Sequence, residues 1–160
     1  MLALGATILA AIVVILATGA ALPDQVAMHF GARGEPNGWA SRDGYLALMV
    51  AQIVVVPALL LGLKVALPRW APRFLKVPNR DYWLAQPRRT TTLRRVARFV
   101  ATLDILVVVF LTVMHLVIVQ ANARPTPQLP LGSFIAALAV FIVAAALWSM
   151  MLRRAFRTPP

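Results

Sequence analysis

Polar and charged positions divide this chain into four long apolar windows. Residues 1–23 carry no charged side chain before Asp24, and Gly44 to Leu63 lie between Asp43 and Lys64. A third window follows Arg98 and runs to Arg124, broken only by Asp104 and the titratable His115; a fourth, 131–152, precedes Arg153. About 20 apolar residues in a helix cross a hydrocarbon core roughly 30 Å thick. Lipid offers the backbone no hydrogen bonds, so only helices and closed barrels span it, and unbroken apolar runs without alternation read as helices. The pattern predicts an all-α integral membrane protein with four transmembrane helices. Residues 1–67 form a first helical hairpin, 68–97 a basic loop, and 98–160 a second helical hairpin with a basic tail. A cleaved signal peptide is the rival reading of residues 1–22. No Lys or Arg precedes that apolar run, and it exceeds the roughly 7–15 residues of a signal core.

Composition supports the same class. Hydrophobic residues make up 61% of the 160 and charged ones 13%, with mean hydropathy +0.79. A soluble domain carries about 25% charge, so a water-soluble fold is excluded. The net charge of +11 is unevenly placed. Lys64, Arg69, Arg73, Lys76, Arg80, Arg88, Arg89, Arg94, Arg95 and Arg98 crowd the second loop against Asp81 alone, and Arg153, Arg154 and Arg157 follow the last window. The loops 24–43 and 122–130 are poor in cations. Basic loops stay cytoplasmic, so both termini are expected inside. Trp39 and Tyr45 then fall in the outer aromatic belt, and Trp70 and Trp148 in the inner one. Cysteine is absent, which excludes disulfides and thiolate chemistry.

The first outer loop concentrates polar and aromatic chemistry. Gly31, Gly34, Pro36, Asn37 and Gly38 predict tight turns around His29, Phe30 and Trp39. One reading is a structured turn with interfacial aromatics; the other is a recognition surface. A metal held by His29 with Asp24, Glu35 or Asp43 would rest on one histidine, so neither metal nor cofactor is expected. In the second outer loop, Pro125, Pro127 and Pro130 predict a stiff connection.

Leu22-Pro23, His29-Phe30, Gly34, Pro36 and Trp39-Ala40-Ser41-Arg42 resemble the signature of the domain of unknown function 1648, the N-terminal part of the SdpI-type immunity proteins. Pro78-Asn79-Arg80-Asp81-Tyr82-Trp83-Leu84 is similar to the cytoplasmic segment of relatives in that group, and the resemblance spans roughly the first 95 residues. It implies a multi-pass protein of a bacterial plasma membrane that protects against a secreted peptide toxin. Pro23, His29, Phe30, Gly34 and Trp39 are the recognition residues it points to. Larger members of the group continue with further spans, whereas this chain has four windows.

In the basic loop, Pro68, Pro72 and Pro78 forbid a long helix. Asn79 is placed to cap a short turn carrying Asp81, Tyr82 and Trp83. Thr90-Thr91-Thr92 are placed to cap a helix whose apolar positions Leu93, Val96, Val100 and Leu103 follow helical spacing. Its cations would anchor on anionic lipid headgroups, at about 1 kcal/mol each near the surface. A soluble cytoplasmic regulator is a second candidate partner. Nucleic acid is not expected, since no groove-entering helix pair or aromatic platform accompanies the charge.

Asp104 and His115 stand eleven residues apart, within roughly 20° on one helix face and about 16.5 Å along it. By depth, His115 is expected to pair with Gln52 across helices. An intramembrane Asp costs at least about 2.5 kcal/mol, so it normally faces the bundle interior. Three readings remain open: a proton or ion relay from His115 to Asp104, helix-to-helix gluing, or snorkelling of Asp104 towards Arg98. Pro57 is expected to kink the second span. Ala3, Thr7 and Ala11, and separately Ser133 and Ala137, form small-residue ridges that let helices approach.

No nucleophile with its base, paired carboxylates or phosphate loop appears, so an enzyme is not expected. Toxin immunity or tolerance through the outer loop is the leading expectation. The alternatives are a sensor relaying to a cytoplasmic partner through residues 78–84, and a small transporter using Asp104 and His115. Four spans give such a transporter little room for a path, so a homo-oligomer would be needed.

Overall fold

The computed structural model describes residues 1–66 and 77–157. Trp70 and the proline-rich first part of the basic loop lie outside the described residues. The chain is mostly helical, with four helices long and apolar enough to cross a membrane. It is not all-α, because the first connecting loop forms an antiparallel β-hairpin. The elements are α1 (Leu2–Gly19), β1 (Gln25–Phe30), β2 (Pro36–Ser41), α2 (Arg42–Leu61), α3 (Arg80–Leu84), α4 (Gln86–Asn122) and α5 (Leu131–Ala155).

Local chemistry sets these boundaries. Thr7 and Thr18 donate their hydroxyl protons to the carbonyls of Ala3 and Val14, so neither breaks the apolar α1. Ser41 caps α2 by accepting from the Gly44 N–H at 3.2 Å, and Asp43 complements the positive end of its dipole. α2 continues through Pro57 and loosens into a π-helical turn over Gly62–Ala66. α4 begins at Gln86, with Pro87 in its first turn where no N–H is needed. The expected threonine cap is therefore not used; Thr92 lies inside the helix and donates to the Trp83 carbonyl at 2.8 Å. At 37 residues, α4 is about 56 Å long. That exceeds the roughly 30 Å hydrocarbon core, so its arginine-rich first turns project beyond it.

α1, α2 and α4 form the core. Ala11 and Ile15 of α1 and Tyr45, Met49 and Ile53 of α2 pack with Val108 of α4, and the cluster extends to Leu22 and Val26 under the hairpin. α1 runs parallel to α4 and α2 antiparallel, since Thr18 and Tyr45 both meet His115. α5 packs chiefly on α4, through stacked Phe110 and Phe141 and a bond from the Trp148 indole to the Phe99 carbonyl. No residue of α5 is buried. Outward Leu, Val and Ile side chains are what a lipid-facing surface requires, because acyl chains are as apolar as they are. The ridge of Ser133 and Ala137 borders a groove of about 370 Å³ between α4 and α5, rather than a close contact.

Candidate functional site

The hairpin pairs Gln25 with Ser41, Val26 with Ala40, Ala27 with Trp39, His29 with Gly38 and Phe30 with Pro36, with irregularities on either side of His29. At its turn, the Gly31 N–H donates to the Glu35 carbonyl at 2.8 Å, and Gly34 takes a left-handed φ of 85°. Glycine adopts that conformation without strain. The Gly34 carbonyl accepts from the Leu129 N–H at 2.9 Å, which ties the turn to the connection between α4 and α5. Gly38 serves a different need. A Cβ there would come within 2.9 Å of the His29 Cβ and Nδ1, so the missing side chain lets the imidazole lie across β2.

Asn122, the last residue of α4, fastens the hairpin from beneath. Its Oδ1 accepts from the Ala27 N–H and its Nδ2 donates to the Ala27 carbonyl, both at 2.9 Å. The amide thus takes the place of a strand partner and satisfies a backbone buried completely at Ala27. Arg42 holds the other side: its guanidinium donates to the Leu22 carbonyl and pairs with Asp24 at 3.3 Å.

The signature residues now separate into two groups. Leu22 is buried in the core, Gly34 shapes the turn, Ser41 caps α2 and Arg42 clamps the strand base. Pro23, His29 and Trp39 are exposed, Trp39 by 51%, and the side chains of His29 and Trp39 make no hydrogen bond among the described residues. Phe30 is half-buried.

Beside His29 a cavity of about 290 Å³ runs down between α2 and α4. Met28 and His29 border it at the hairpin, Tyr45 and His115 at mid-depth, and Met49, Gln52 and Leu111 further in. Gln52 lines this space but does not pair with His115. Both imidazole nitrogens are already committed, Nε2 to Thr18 Oγ1 at 2.9 Å and Nδ1 to the Tyr45 hydroxyl at 3.0 Å. Thr18 has one hydroxyl proton and gives it to Val14, so its oxygen accepts from Nε2–H. A neutral imidazole then leaves Nδ1 to accept from the Tyr45 hydroxyl. The phenol also stacks on the imidazole, with ring centres 5.7 Å apart. Tyr45 is thus a buried link in this network rather than a belt residue.

Asp104 has no such company. It is fully buried, and neither carboxyl oxygen has a hydrogen-bond partner among the described residues. Snorkelling to Arg98 is therefore not the conformation adopted. Among the described residues no cluster of three or more His, Cys, Asp or Glu could hold a metal.

At the opposite end, the 79–84 motif holds the end of α5. Asn79, in a left-handed conformation, does not cap α3 with its side chain; instead its Nδ2 donates to the Phe156 carbonyl at 3.0 Å. Trp83 donates its indole N–H to the same oxygen at 2.9 Å, and Arg95 donates to the Ala155 carbonyl at 2.9 Å. These donors meet the orphan carbonyls of a helix C-terminus. Trp83 also packs edge-on against buried Phe156, Arg88 lies 4.0 Å over the Tyr82 ring, and exposed Asp81 pairs with Arg80.

No curated protein and no solved structure matches this chain. The segment from α1 through the hairpin to Leu60 does have a counterpart, roughly a third of the chain and short of the 78–84 motif. Residues 6–60 match the family model described as a domain of unknown function, DUF1648.

Proposed function

We propose that this chain is a plasma-membrane tolerance protein of a bacterium, similar in role to the SdpI-type immunity proteins. In this reading its hairpin faces outside, both termini face the cytoplasm, and a secreted peptide toxin is recognised at His29 and Trp39. Supporting this orientation, the cation-rich 77–98 segment and tail lie at the end opposite the hairpin, and basic segments favour the cytoplasmic side. One observation carries the recognition reading. The hairpin is fixed from below by Asn122, so His29, at the edge of the cavity, and the exposed Trp39 of the neighbouring strand are held out without being used to hold the fold. An imidazole at the mouth of a largely apolar cleft, with an exposed indole on the same hairpin, suits an apolar peptide segment, because little side-chain freedom is lost on contact. This is a binding role, not a catalytic one.

The test is survival of a sensitive bacterial host challenged with membrane-active peptides. Cells carry no protein, the wild type, His29→Ala or Trp39→Ala, at matched membrane levels. Protection by the wild type that either substitution removes is the expected result. No protection, or equal protection by both variants, would overturn the reading.

Asp104, without a hydrogen-bond partner among the described residues, favours one alternative, a proton- or ion-coupled bundle. In that case Asp104→Asn would abolish activity while His29→Ala spared it. The sensor alternative has less support, because Asn79 and Trp83 are committed to α5 and leave Asp81 and Tyr82 to meet a regulator.

A further inference from the structure

At the basic end a groove of about 580 Å³ opens between the start of α1 and one face of α4. Ala3 and Leu4 line it from α1, and Ala97 and Ala101 from α4. Three of these four are alanines, too short to fill the space between the helices. Arg94 and Arg98, one helical turn apart, border the same groove. Neither has a carboxylate partner: the ion pairs among the described residues are Arg42 with Asp24 and Arg80 with Asp81, and no acidic side chain lines the groove. Two uncompensated guanidinium groups therefore stand beside an apolar slot at the point where a long helix leaves the hydrocarbon.

We infer that this groove is a specific site for one anionic phospholipid. Its phosphodiester sits between Arg94 and Arg98, where planar guanidinium groups suit phosphate oxygens. One acyl chain follows Ala97 and Ala101 towards Ile105, about 10 Å beyond Arg98. This differs from diffuse attraction between a basic loop and a charged surface, because it is saturable, one per chain, and set by two arginines rather than by net charge. A zwitterionic lipid is disfavoured, since its choline would add a further cation beside Arg94 and Arg98.

Native mass spectrometry of the delipidated full chain, titrated with phosphatidylglycerol or phosphatidylcholine, tests this. The expected result is one retained phosphatidylglycerol per chain with at least about tenfold preference. Arg94→Gln/Arg98→Gln should lose the preference, whereas Arg153→Gln/Arg154→Gln, an equal change in charge, should keep it. Ala97→Leu, which fills the slot and leaves both arginines, should weaken retention. Inorganic phosphate should not displace the lipid. Equal loss in the two double variants, absence of any preference, unchanged retention in Ala97→Leu, or displacement by phosphate would each overturn the site.

Discussion

His115 and Asp104 stand on the same face of α4, both with no exposed surface, yet their surroundings differ completely. His115 bonds to α1 through Thr18 and to α2 through Tyr45, and so fixes three helices at one level. Asp104, eleven residues away, has nothing to bond among the described residues. Burial of a polar residue in a membrane does not by itself indicate function; its partners do. A satisfied group holds helices together, whereas an unsatisfied one costs stability that some other use must justify.

Substitution to a shape-filling apolar residue separates these roles most sharply. His115→Leu leaves the Tyr45 hydroxyl buried without its acceptor and removes the ring stack. Thermal or denaturant unfolding in detergent should show a loss of about 2–4 kcal/mol. A loss below about 1 kcal/mol would mean that the network does not hold the bundle. Asn122→Leu comes next. It strands both backbone groups of Ala27, for a loss of about 2–3 kcal/mol, and amide exchange should quicken across residues 25–41 before the helices change. Trp83→Phe keeps the ring contact with Phe156 but deletes one donor, for about 1 kcal/mol, read as faster exchange in the last turn of α5. Asp104→Leu should be neutral within about 0.5 kcal/mol or stabilising, because removing an unpaired buried group leaves no partner stranded. A loss above about 1 kcal/mol would show that the carboxyl has a structural partner, and the contrast with His115 would fail.

The spans were legible because charge-free windows leave few alternatives to a helix. The hairpin was not. Val26 and Ala27 are adjacent yet both buried, and the register is irregular around His29, so the period-two signal of a strand is blurred. Depth arithmetic placed Gln52 near His115 and the two do share a cavity, but it could not foresee that a Tyr45 phenol would reach the ring first. Asn122 stood at the end of an apolar window and read as a boundary; only the fold brings Ala27, 95 residues earlier, above it. Asn79 read as the cap of a short turn carrying Trp83 for the same reason, since the acceptor both residues use, at Phe156, lies more than 70 residues away. Local pattern finds helices, while long-range polar contacts require the fold.

The central claim is that the hairpin faces outside, where a secreted peptide can reach it. The chain contains no cysteine, so single thiols report position without interference. Asn37→Cys, on the exposed surface of β2, and Arg157→Cys, beyond α5, can each be treated in intact cells with a membrane-impermeant maleimide. The account predicts labelling at position 37 in intact cells and at position 157 only after lysis. Labelling at 157 with protection at 37 would place the hairpin in the cytoplasm and contradict recognition of an external toxin.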